Sequence, residues 1–184
     1  MVSVCSPNYL HDAHIRTALR VGADALCEKP LVLNPWNLDM LQELEAETGC
    51  RVWTVLQLRL HSALIALKSE VNGSDGQHDV DLTYVTSRGS CYMRSWKNQL
   101  EKSGGVATNI GIHFFDLLIW LFGAVEKVEV HVSDEKTCAG YLELASARVR
   151  WFLSIDSSDV PEEGLKTGQR TYRSLILNGE EVEF

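Results

Sequence analysis

The first 57 residues alternate short apolar runs with helical stretches, and this alternation constrains the fold more than any other feature. The predicted strands cover residues 2–5, 25–28 and 51–57, and the predicted helices cover residues 11–21 and 34–48. The first helix stops at Gly22, which suits a left-handed cap, and the second begins at Asn34 and Pro35, which favour a first helical turn. Strands that alternate with helices of about 10–15 residues are typical of βαβ units, so we predict a parallel sheet.

The pattern changes to consecutive strands after about residue 60. Helices are predicted over 62–71 and 106–122, and strands over 80–88, 127–133, 141–145, 147–155, 172–178 and 180–184. Runs of successive strands indicate a mostly antiparallel sheet, and Asn178-Gly179 is a hairpin signal between the last two. We therefore predict an α/β protein. The C-terminal part of a Rossmann-type parallel sheet over residues 1–60 is followed by an α+β domain over residues 61–184 with an open, mostly antiparallel sheet.

Composition and charge argue against several classes of protein. The formal net charge is −8 and no run of Lys and Arg stands out, which argues against a nucleic-acid partner. The five cysteines are dispersed and form no CxxC pair, so we expect buried thiols in a reducing compartment and no metal site. The longest apolar segment, 110–122, is shorter than the roughly 20 residues that cross a bilayer. The N-terminus has no signal-peptide pattern, so we predict a cytoplasmic protein without a membrane partner.

A lysine stands where parallel sheets usually present functional groups. Lys29 follows the predicted strand 25–28, and ligands of open α/β sheets bind beyond the carboxyl ends of the strands. Pro30 removes an amide donor and fixes the direction of the chain after the lysine. By itself, Glu28-Lys29-Pro30 is also compatible with a solvated lysine before a loop.

Three polar residues share one side of the predicted helix 106–122. Asn109, His113 and Asp116 are spaced i, i+4 and i+7 among mostly apolar neighbours, so their side chains need partners inside the protein. A histidine on this helix and a lysine at a strand end are the two proton-transfer groups that oxidation of a secondary alcohol requires. The alternative for His113 is a hydrogen-bonded core histidine. The spacings of a zinc site are absent.

Further polar residues are candidates for contacts with a substrate. Aromatic rings can stack on a ring, a lysine can meet a negative charge, and arginine pairs bind phosphate or carboxylate. The candidates are Gln57, Arg59, Tyr92, Trp96, Lys97, Arg170 and Arg173. The last two adjoin a glycine turn at Thr167-Gly168-Gln169. The alternative for this arginine pair is that both are ordinary solvated strand residues.

Together these motifs resemble the Gfo/Idh/MocA oxidoreductase family. The resemblance covers nearly the whole chain and rests on motifs in the family's order, namely Ser6-Pro7-Asn8, His11, Glu28-Lys29-Pro30, Gly104-Gly105, Asn109, Gly111, His113 and Asp116. Within the family the chain is most similar to the UDP-N-acetylglucosaminuronate 3-dehydrogenases. That similarity rests on Tyr92, Ser95-Trp96-Lys97, 109–116 and 167–173.

The resemblance implies an NAD or NADP cofactor and a catalytic pair, Lys29 and His113. It implies that the nicotinamide side of the cofactor is lined by Pro7, Asn8, His11, Glu28 and Lys29. The substrate implied is a UDP-sugar, with Asn109 and Asp116 joining the candidate contacts named above. The family also implies a homo-oligomer that packs through the open sheet.

The reaction implied is oxidation of a ring hydroxyl of a sugar nucleotide, at C3 of a UDP-linked N-acetylated hexuronic acid. Free lysine has a pKa near 10.4, so a basic role requires that the pKa be lowered, whereas histidine needs less adjustment. We therefore favour His113 as the acid–base group and Lys29 as the orienting, charge-stabilising partner. The alternatives are a non-catalytic sugar-nucleotide-binding remnant and a related inositol or glucose dehydrogenase.

One element of the family pattern is absent from the sequence. A nucleotide-binding sheet of this kind opens with a strand, a Gly-rich turn and a helix that holds the pyrophosphate, and no GxGxxG occurs in the 184 residues. We therefore expect the chain to be a fragment of a longer enzyme, truncated at both ends and inactive alone. The alternative is a complete small domain of new topology.

Overall fold

The computed structural model describes residues 1–74, 76–161 and 170–184. The chain forms two compact units, one built from residues 1–56 and 94–112 and the other from residues 57–93 and 113–184. A division of the domains near residue 60 stays a prediction. The structure adds that the segment 94–112 returns to the first unit, which no local sequence pattern indicates.

The first unit contains a three-stranded parallel sheet, as the alternating pattern predicts. Its strands, in spatial order, are β1 (Val2–Val4), β2 (Ala25–Cys27) and β3 (Val52–Thr54). Val4 lies beside Cys27, and Cys27 lies beside Thr54, so the three strands end at the same edge of the sheet. The loops that follow β1 and β2 therefore start side by side.

Two helices pack on these strands, α1 (His11–Arg20) and α2 (Trp36–Thr48). Gly22 follows α1 at φ 75°, which confirms the predicted left-handed helix end, and Gly49 ends α2 in the same conformation at φ 71°. The core of the first unit consists of Val4, Ile15, Ala18, Leu19, Ala25, Cys27, Leu41 and Leu44.

The returning segment of the first unit is a series of short turns. A 3-10 turn at Trp96–Asn98 precedes a helical turn at Leu100–Ser103 and a π-helical turn at Ala107–Gly111. Gly104 has φ 80°, and a Cβ at this position would come within 2.6 Å of the Thr108 side chain. Glycine is therefore required for the chain to fold back from the helical turn into the π-helical turn.

The second unit contains a six-stranded sheet in the order β5-β6-β7-β4-β8-β9. The strands are β4 (His78–Thr86), β5 (Val125–Ser133), β6 (Thr137–Leu144), β7 (Ala147–Ser154), β8 (Thr171–Leu177) and β9 (Glu180–Glu181). All neighbouring strands are antiparallel except β4 and β7, so the prediction of a mostly antiparallel sheet is confirmed.

Apolar helices complete the core of the second unit, α3 (Ser62–Asn72) and α4 (Ile112–Phe122). The Phe115 ring packs edge-on against Trp151 of β7, with 5.2 Å between ring centroids, and the Phe114 ring lies 4.7 Å from Tyr84 of β4. One face of the sheet is therefore buried against α4. Alternate residues of β7, such as Arg148 and Arg150, point to the other, open face.

Leu100–Phe122 is the one helical stretch in the described part of the chain that could cross a membrane by length and composition. It is longer than the apolar segment 110–122 that we predicted, because the turns before α4 extend it. Half of the most apolar 18 residues in this stretch are buried inside the protein. A buried core helix passes the same test, so the stretch gives little support to a membrane span.

Candidate active site

Lys29 lies at the carboxyl edge of the parallel sheet, in the loop after β2. Its peptide bond to Pro30 is cis, and its side chain is half-buried. Lys29 Nζ donates a hydrogen bond of 2.6 Å to the backbone carbonyl of Asn109, in the π-helical turn. A charge-assisted bond of this kind fixes the position of the ammonium group.

Asn8 links the loop after β1 to the returning segment. It is buried, with 5% of its surface exposed. Its Nδ2 donates to the carbonyl of Ser103 at 3.0 Å and to Oδ1 of Asn109 at 3.2 Å. Asn109 is thus held through its side chain by Asn8 and through its main chain by Lys29.

His11 links the loop after β1 to the loop after β2. Its Nδ1 lies 2.7 Å from the carbonyl oxygen of Pro30, and its Nε2 lies 2.8 Å from the carbonyl oxygen of Ser6. The residue has no exposed surface. Because His11 and Asn8 are buried, they can position neighbouring groups; their direct contact with the cofactor, which the resemblance implied, stays a prediction.

The other residues predicted to line the nicotinamide are accessible. Glu28 is exposed, and Pro7 and Lys29 are half-buried. The backbone N–H of Glu28 donates to the carbonyl of Val4 at 2.9 Å, which ties this loop to the end of β1. Pro7, Glu28 and Lys29 therefore present accessible surface at this edge, and contact of all five predicted residues with the nicotinamide side of the cofactor stays a prediction.

The first unit also carries a cluster of aromatic rings and lysines that sequence reasoning identified only in part. Tyr9 and Trp96 pack edge to face, with 6.4 Å between ring centroids. Lys102 Nζ lies 5.6 Å from the Tyr9 centroid, and Lys97 Nζ lies 5.8 Å from the Trp96 centroid. Among the described residues no carboxylate pairs with either lysine, so the cluster keeps two positive charges. Tyr9 and Lys102 were missed, and the only sequence signal was that Tyr9 follows Asn8.

In the second unit, His113 is the second residue of α4 and is half-buried. Asp116, three residues later, accepts a hydrogen bond from Arg59 Nε at 2.7 Å and another from Arg59 Nη2. These bonds raise the pKa of the Arg59 guanidinium above its ordinary value. The Asp116 side chain is 11% exposed and that of Arg59 is 42% exposed, so the arginine is the member of this pair that can meet a ligand.

Two further candidates of the second unit lie near its surface. Gln57 is exposed at the start of a 3-10 turn. Tyr92 is half-buried, and the guanidinium of Arg88 lies 5.4 Å from its ring centroid. A shared role of Gln57 and Tyr92 with Arg59 and Asp116 in substrate binding stays a prediction.

The predicted arginine pair lies at the start of β8. Arg170 and Arg173 are both exposed, and the Arg173 guanidinium stacks 4.1 Å from the centroid of the Phe184 ring. A cleft of about 510 Å³ adjoins Arg173 and Phe184. The glycine turn that we predicted at Thr167-Gly168-Gln169 lies outside the described residues.

Among the residues that the structure describes, no group of three or more His, Cys, Asp or Glu side chains is placed to hold a metal ion. The side chains that the structure brings together are instead hydrogen-bond donors, acceptors and aromatic rings. Asn8, Lys29 and Asn109 meet in the first unit, and Arg59 and Asp116 meet in the second.

Family models match both parts of the chain. The oxidoreductase family, NAD-binding Rossmann fold, matches residues 1–56, and the oxidoreductase family, C-terminal alpha/beta domain, matches residues 73–168. The chain belongs to this oxidoreductase family. Its membership confirms the Gfo/Idh/MocA resemblance and the predicted fold class.

The WlbA (WbpB) dehydrogenase of Thermus thermophilus has been crystallised with NAD and α-ketoglutarate and with NAD and UDP-GlcNAcA. Both structures are 62% identical to this chain over 99% of its length, with a TM-score of 0.96, and the chain covers 59% of theirs. D-glucoside 3-dehydrogenase of Escherichia coli is 29% identical over 77% of this chain and 42% of its own length. Myo-inositol 2-dehydrogenase of Thermotoga maritima is 28% identical over 82% of this chain and 46% of its own. The chain thus spans about half the length of these curated relatives.

Proposed function

We propose that this protein is an NAD-dependent dehydrogenase that oxidises the C3 hydroxyl of a UDP-linked N-acetylated hexuronic acid. The observation that carries the proposal is the 62% identity, along 99% of the chain, with a dehydrogenase crystallised with NAD and UDP-GlcNAcA. Identity at this level along both units supports a shared substrate class more strongly than the fold does, because one fold hosts many activities.

The first unit fits one half of a dinucleotide. Pro7, Glu28 and Lys29 present accessible surface at the carboxyl edge of a parallel sheet, which is where such sheets bind nucleotides. The Gly-rich turn that holds the pyrophosphate is absent from the 184 residues. NAD, when bound, supplies the acceptor for the hydride that leaves the sugar carbon.

In this proposal Lys29 and His113 divide the handling of the hydroxyl proton. Lys29 donates one N–H to the carbonyl of Asn109, and an ammonium group has further N–H groups that can donate to the substrate oxygen. Such a donor stabilises the negative charge that develops on oxygen as the proton leaves. His113 accepts that proton, since imidazole is the side chain best suited to do so near neutral pH.

The cluster of Tyr9, Trp96, Lys97 and Lys102 suits the base and the diphosphate of a sugar nucleotide. It offers aromatic surface together with two positive charges that no described carboxylate neutralises. The other proposed substrate contacts are Gln57, Arg59, Tyr92, Asn109, Asp116, Arg170 and Arg173. The exposed guanidinium groups among them suit the uronate carboxylate or a phosphate.

We further propose a cytoplasmic homo-oligomer that packs through the open face of the six-stranded sheet. This face carries acidic and basic groups around a cleft of about 810 Å³, including Asp79, Asp81, Glu129, Arg148 and Arg150. A face of mixed charge can pair with its own copy about a two-fold axis, acid against base. Sedimentation analysis of the double variant Arg148→Glu, Arg150→Glu tests this, and an unchanged oligomer would argue for another interface.

The decisive experiment uses a longer form of the protein that also carries a Gly-rich pyrophosphate turn. It supplies this form with NAD and follows NADH formation with UDP-GlcNAcA, UDP-GlcNAc, myo-inositol and a glucoside. We expect NADH only with UDP-GlcNAcA, together with a 3-keto product by nuclear magnetic resonance. Oxidation of myo-inositol or the glucoside, without oxidation of UDP-GlcNAcA, would instead support an inositol- or glucoside-type dehydrogenase, the alternative that the two curated relatives favour.

The absence of a Gly-rich turn favours a second alternative, a non-catalytic module that binds sugar nucleotides. Calorimetric titrations of the 184-residue chain with NAD and with UDP measure which of the two ligands these residues bind by themselves. We expect weak or undetectable binding of NAD, because no backbone cradle for a pyrophosphate is present in the sequence. Micromolar, stoichiometric binding of NAD would show that these residues already form a sufficient cofactor site.

A further inference from the structure

We propose that Asn8 and His11 are positioning residues that hold Lys29 in place through a closed triangle of hydrogen bonds. The triangle joins three segments of the first unit, namely the loop after β1 (residues 6–8), the loop after β2 (residues 28–30) and the returning segment (residues 103–109). The inference rests on the proposed function, because it assigns roles at the same site. Its first test needs no enzymatic activity.

The first side of the triangle is His11. Its two ring nitrogens lie 2.8 Å from the carbonyl oxygen of Ser6 and 2.7 Å from that of Pro30, one in each of the two loops. Because a carbonyl oxygen only accepts hydrogen bonds, each ring nitrogen must carry a proton in order to donate, so both bonds form together only when His11 is an imidazolium. His11 therefore ties the residue next to Lys29 to the loop after β1.

The second and third sides meet at Asn109. Asn8 donates to Oδ1 of Asn109 at 3.2 Å and to the carbonyl of Ser103 at 3.0 Å, while Lys29 donates to the carbonyl of Asn109 at 2.6 Å. The residue that receives the lysine is thus itself held through its side chain. It lies in a π-helical turn, a local geometry that recurs at functional sites.

The three connections form a closed ring between the three segments, and this ring is what fixes the position of Lys29. A lysine side chain has four flexible carbons, so its ammonium is fixed only if both its own loop and its acceptor are fixed. The supports are buried, with 5% of Asn8, none of His11, none of Ser103 and 8% of Asn109 exposed. If one of the supporting donors is removed, a buried oxygen atom loses its hydrogen bond. The segment that contains this oxygen atom is then expected to shift.

The first test measures how fast Lys29 is modified by reductive methylation, with peptide mass spectrometry as the readout. Lys68 is an internal reference, because its Nζ also donates to a helix carbonyl, that of Leu121, at 3.0 Å. In Asn8→Ala and in His11→Phe we expect the methylation rate of Lys29 to rise about tenfold, which corresponds to the loss of one charge-assisted hydrogen bond. The methylation rate of Lys68 should not change.

Matched control variants remove neighbours that lie outside the triangle. Asn34→Ala deletes an exposed side chain that accepts a hydrogen bond from the backbone N–H of Trp36, and His14→Ala deletes an exposed histidine that contacts the side chain of Ser6. Both are expected to leave the rate at Lys29 unchanged. Equal rates at Lys29 in all variants and controls would overturn the proposal.

A measurement on the unmodified protein covers the case in which a variant does not fold. Lys29 is expected to react about tenfold more slowly than the exposed Lys97, although both lie in the first unit. Equal rates at these two lysines would show that Lys29 is not held, and would also overturn the proposal.

The second test separates positioning from direct cofactor contact in a form of the protein that oxidises sugar nucleotides. In Asn8→Ala we expect kcat to fall about tenfold or more and the KM for NAD to change less than about twofold. Asn8→Asp should behave like Asn8→Ala, because a carboxylate has no N–H to donate. A raised KM for NAD with an unchanged kcat would make Asn8 a cofactor ligand instead. If no sugar nucleotide is oxidised, the proposed function fails while the methylation result still decides the triangle.

Discussion

The two units use their polar side chains in different ways. In the first unit, strands of three residues are supplemented by buried side chains that bond to backbone carbonyls of other segments, as His11, Asn8 and Lys29 do. In the second unit, strands of up to nine residues hold each other through their backbones, and the charged side chains pair with one another on the open face. The first unit thus fixes its polar groups through buried bonds to main-chain carbonyls, whereas the described ion pairs of the second unit join side chains to one another.

The pair Asp81–Arg150 shows the second pattern. The two residues lie opposite each other on β4 and β7, and Arg150 Nε and Nη2 donate to the Asp81 carboxylate at 2.5 Å and 2.6 Å. The hydrogen bond from Arg150 lowers the pKa of Asp81. Both side chains are well exposed, so water and salt screen the interaction. We therefore expect the exposed pair Asp81–Arg150 to contribute less to the free energy of unfolding than the buried hydrogen bonds of Asn8 and His11 do, although its distances are short.

The largest of the effects that test this comparison is expected at the proposed catalytic pair, Lys29 and His113. Lys29→Ala or His113→Ala should lower turnover about 10²–10⁴-fold, the usual worth of a positioned acid–base group. Steady-state kinetics measure the loss. Lys68→Ala is the matched control, because it removes a lysine that bonds to a helix carbonyl in the second unit. Near-normal turnover in both active-site variants would remove them from the mechanism.

The next effect concerns the stability of the scaffold. Leu118→Ala, at a side chain with no exposed surface in α4, should lower the free energy of unfolding by about 2–5 kcal/mol through lost burial and a residual cavity. The neighbouring Ile119 is 41% exposed, and Ile119→Ala should cost less than about 1 kcal/mol. Denaturant titration compares the two, and similar losses would contradict the placement of α4 against the sheet.

A smaller effect is expected at the arginine pair. Arg170→Ala or Arg173→Ala should raise the KM for a UDP-sugar about tenfold, because one charge-assisted contact with a phosphate or carboxylate is lost. The KM for a free sugar should not change. Arg148→Ala removes an exposed arginine from the open sheet face and serves as the control. Equal changes for both substrates would show that the pair is structural.

The smallest effect is expected at Asp81–Arg150. Arg150→Gln should lower the free energy of unfolding far less than Leu118→Ala does, because both side chains of the pair are exposed. Since the Asp81 pKa is lowered in the folded protein, the pair stabilises above the unfolded value of about 3.9. That contribution disappears as the pH falls through the lower folded pKa. Unfolding curves at neutral and acid pH check both statements. A loss as large as that of Leu118→Ala would show that this exposed pair contributes as much to stability as a buried side chain does.

Much of the fold could be predicted because local signals decide it. Gly22 and Gly49 end helices by their left-handed conformation, and the alternation of burial along the strands follows the sequence pattern. The parallel pairing of β4 with β7 could not be predicted, because strand patterns do not encode which distant strand becomes the neighbour. The return of residues 94–112 to the first unit could not be predicted either, because it also depends on contacts between residues that are far apart in the sequence.

The candidate site was predictable in its residue types but not in its contacts. The motifs pointed to Lys29, Asn109 and His113, yet the bond from Lys29 to a main-chain carbonyl leaves no trace in the identity of residue 109. His11 was expected near the cofactor because of the motif that contains it, and its complete burial follows from packing. Arg59 and Asp116 were named separately, and only the structure pairs them.

The central position of β4 has a consequence for how the protein acquires its structure. β4 lies between β7 and β8, and both of these partners come later in the chain. During synthesis β4 therefore emerges well before either neighbour, with its amides and carbonyls unpaired. Such a strand can meet a second nascent chain before its own partners are made, which favours assistance by chaperones. The pairing of distant strands also predicts slow, late consolidation of this sheet relative to the helices.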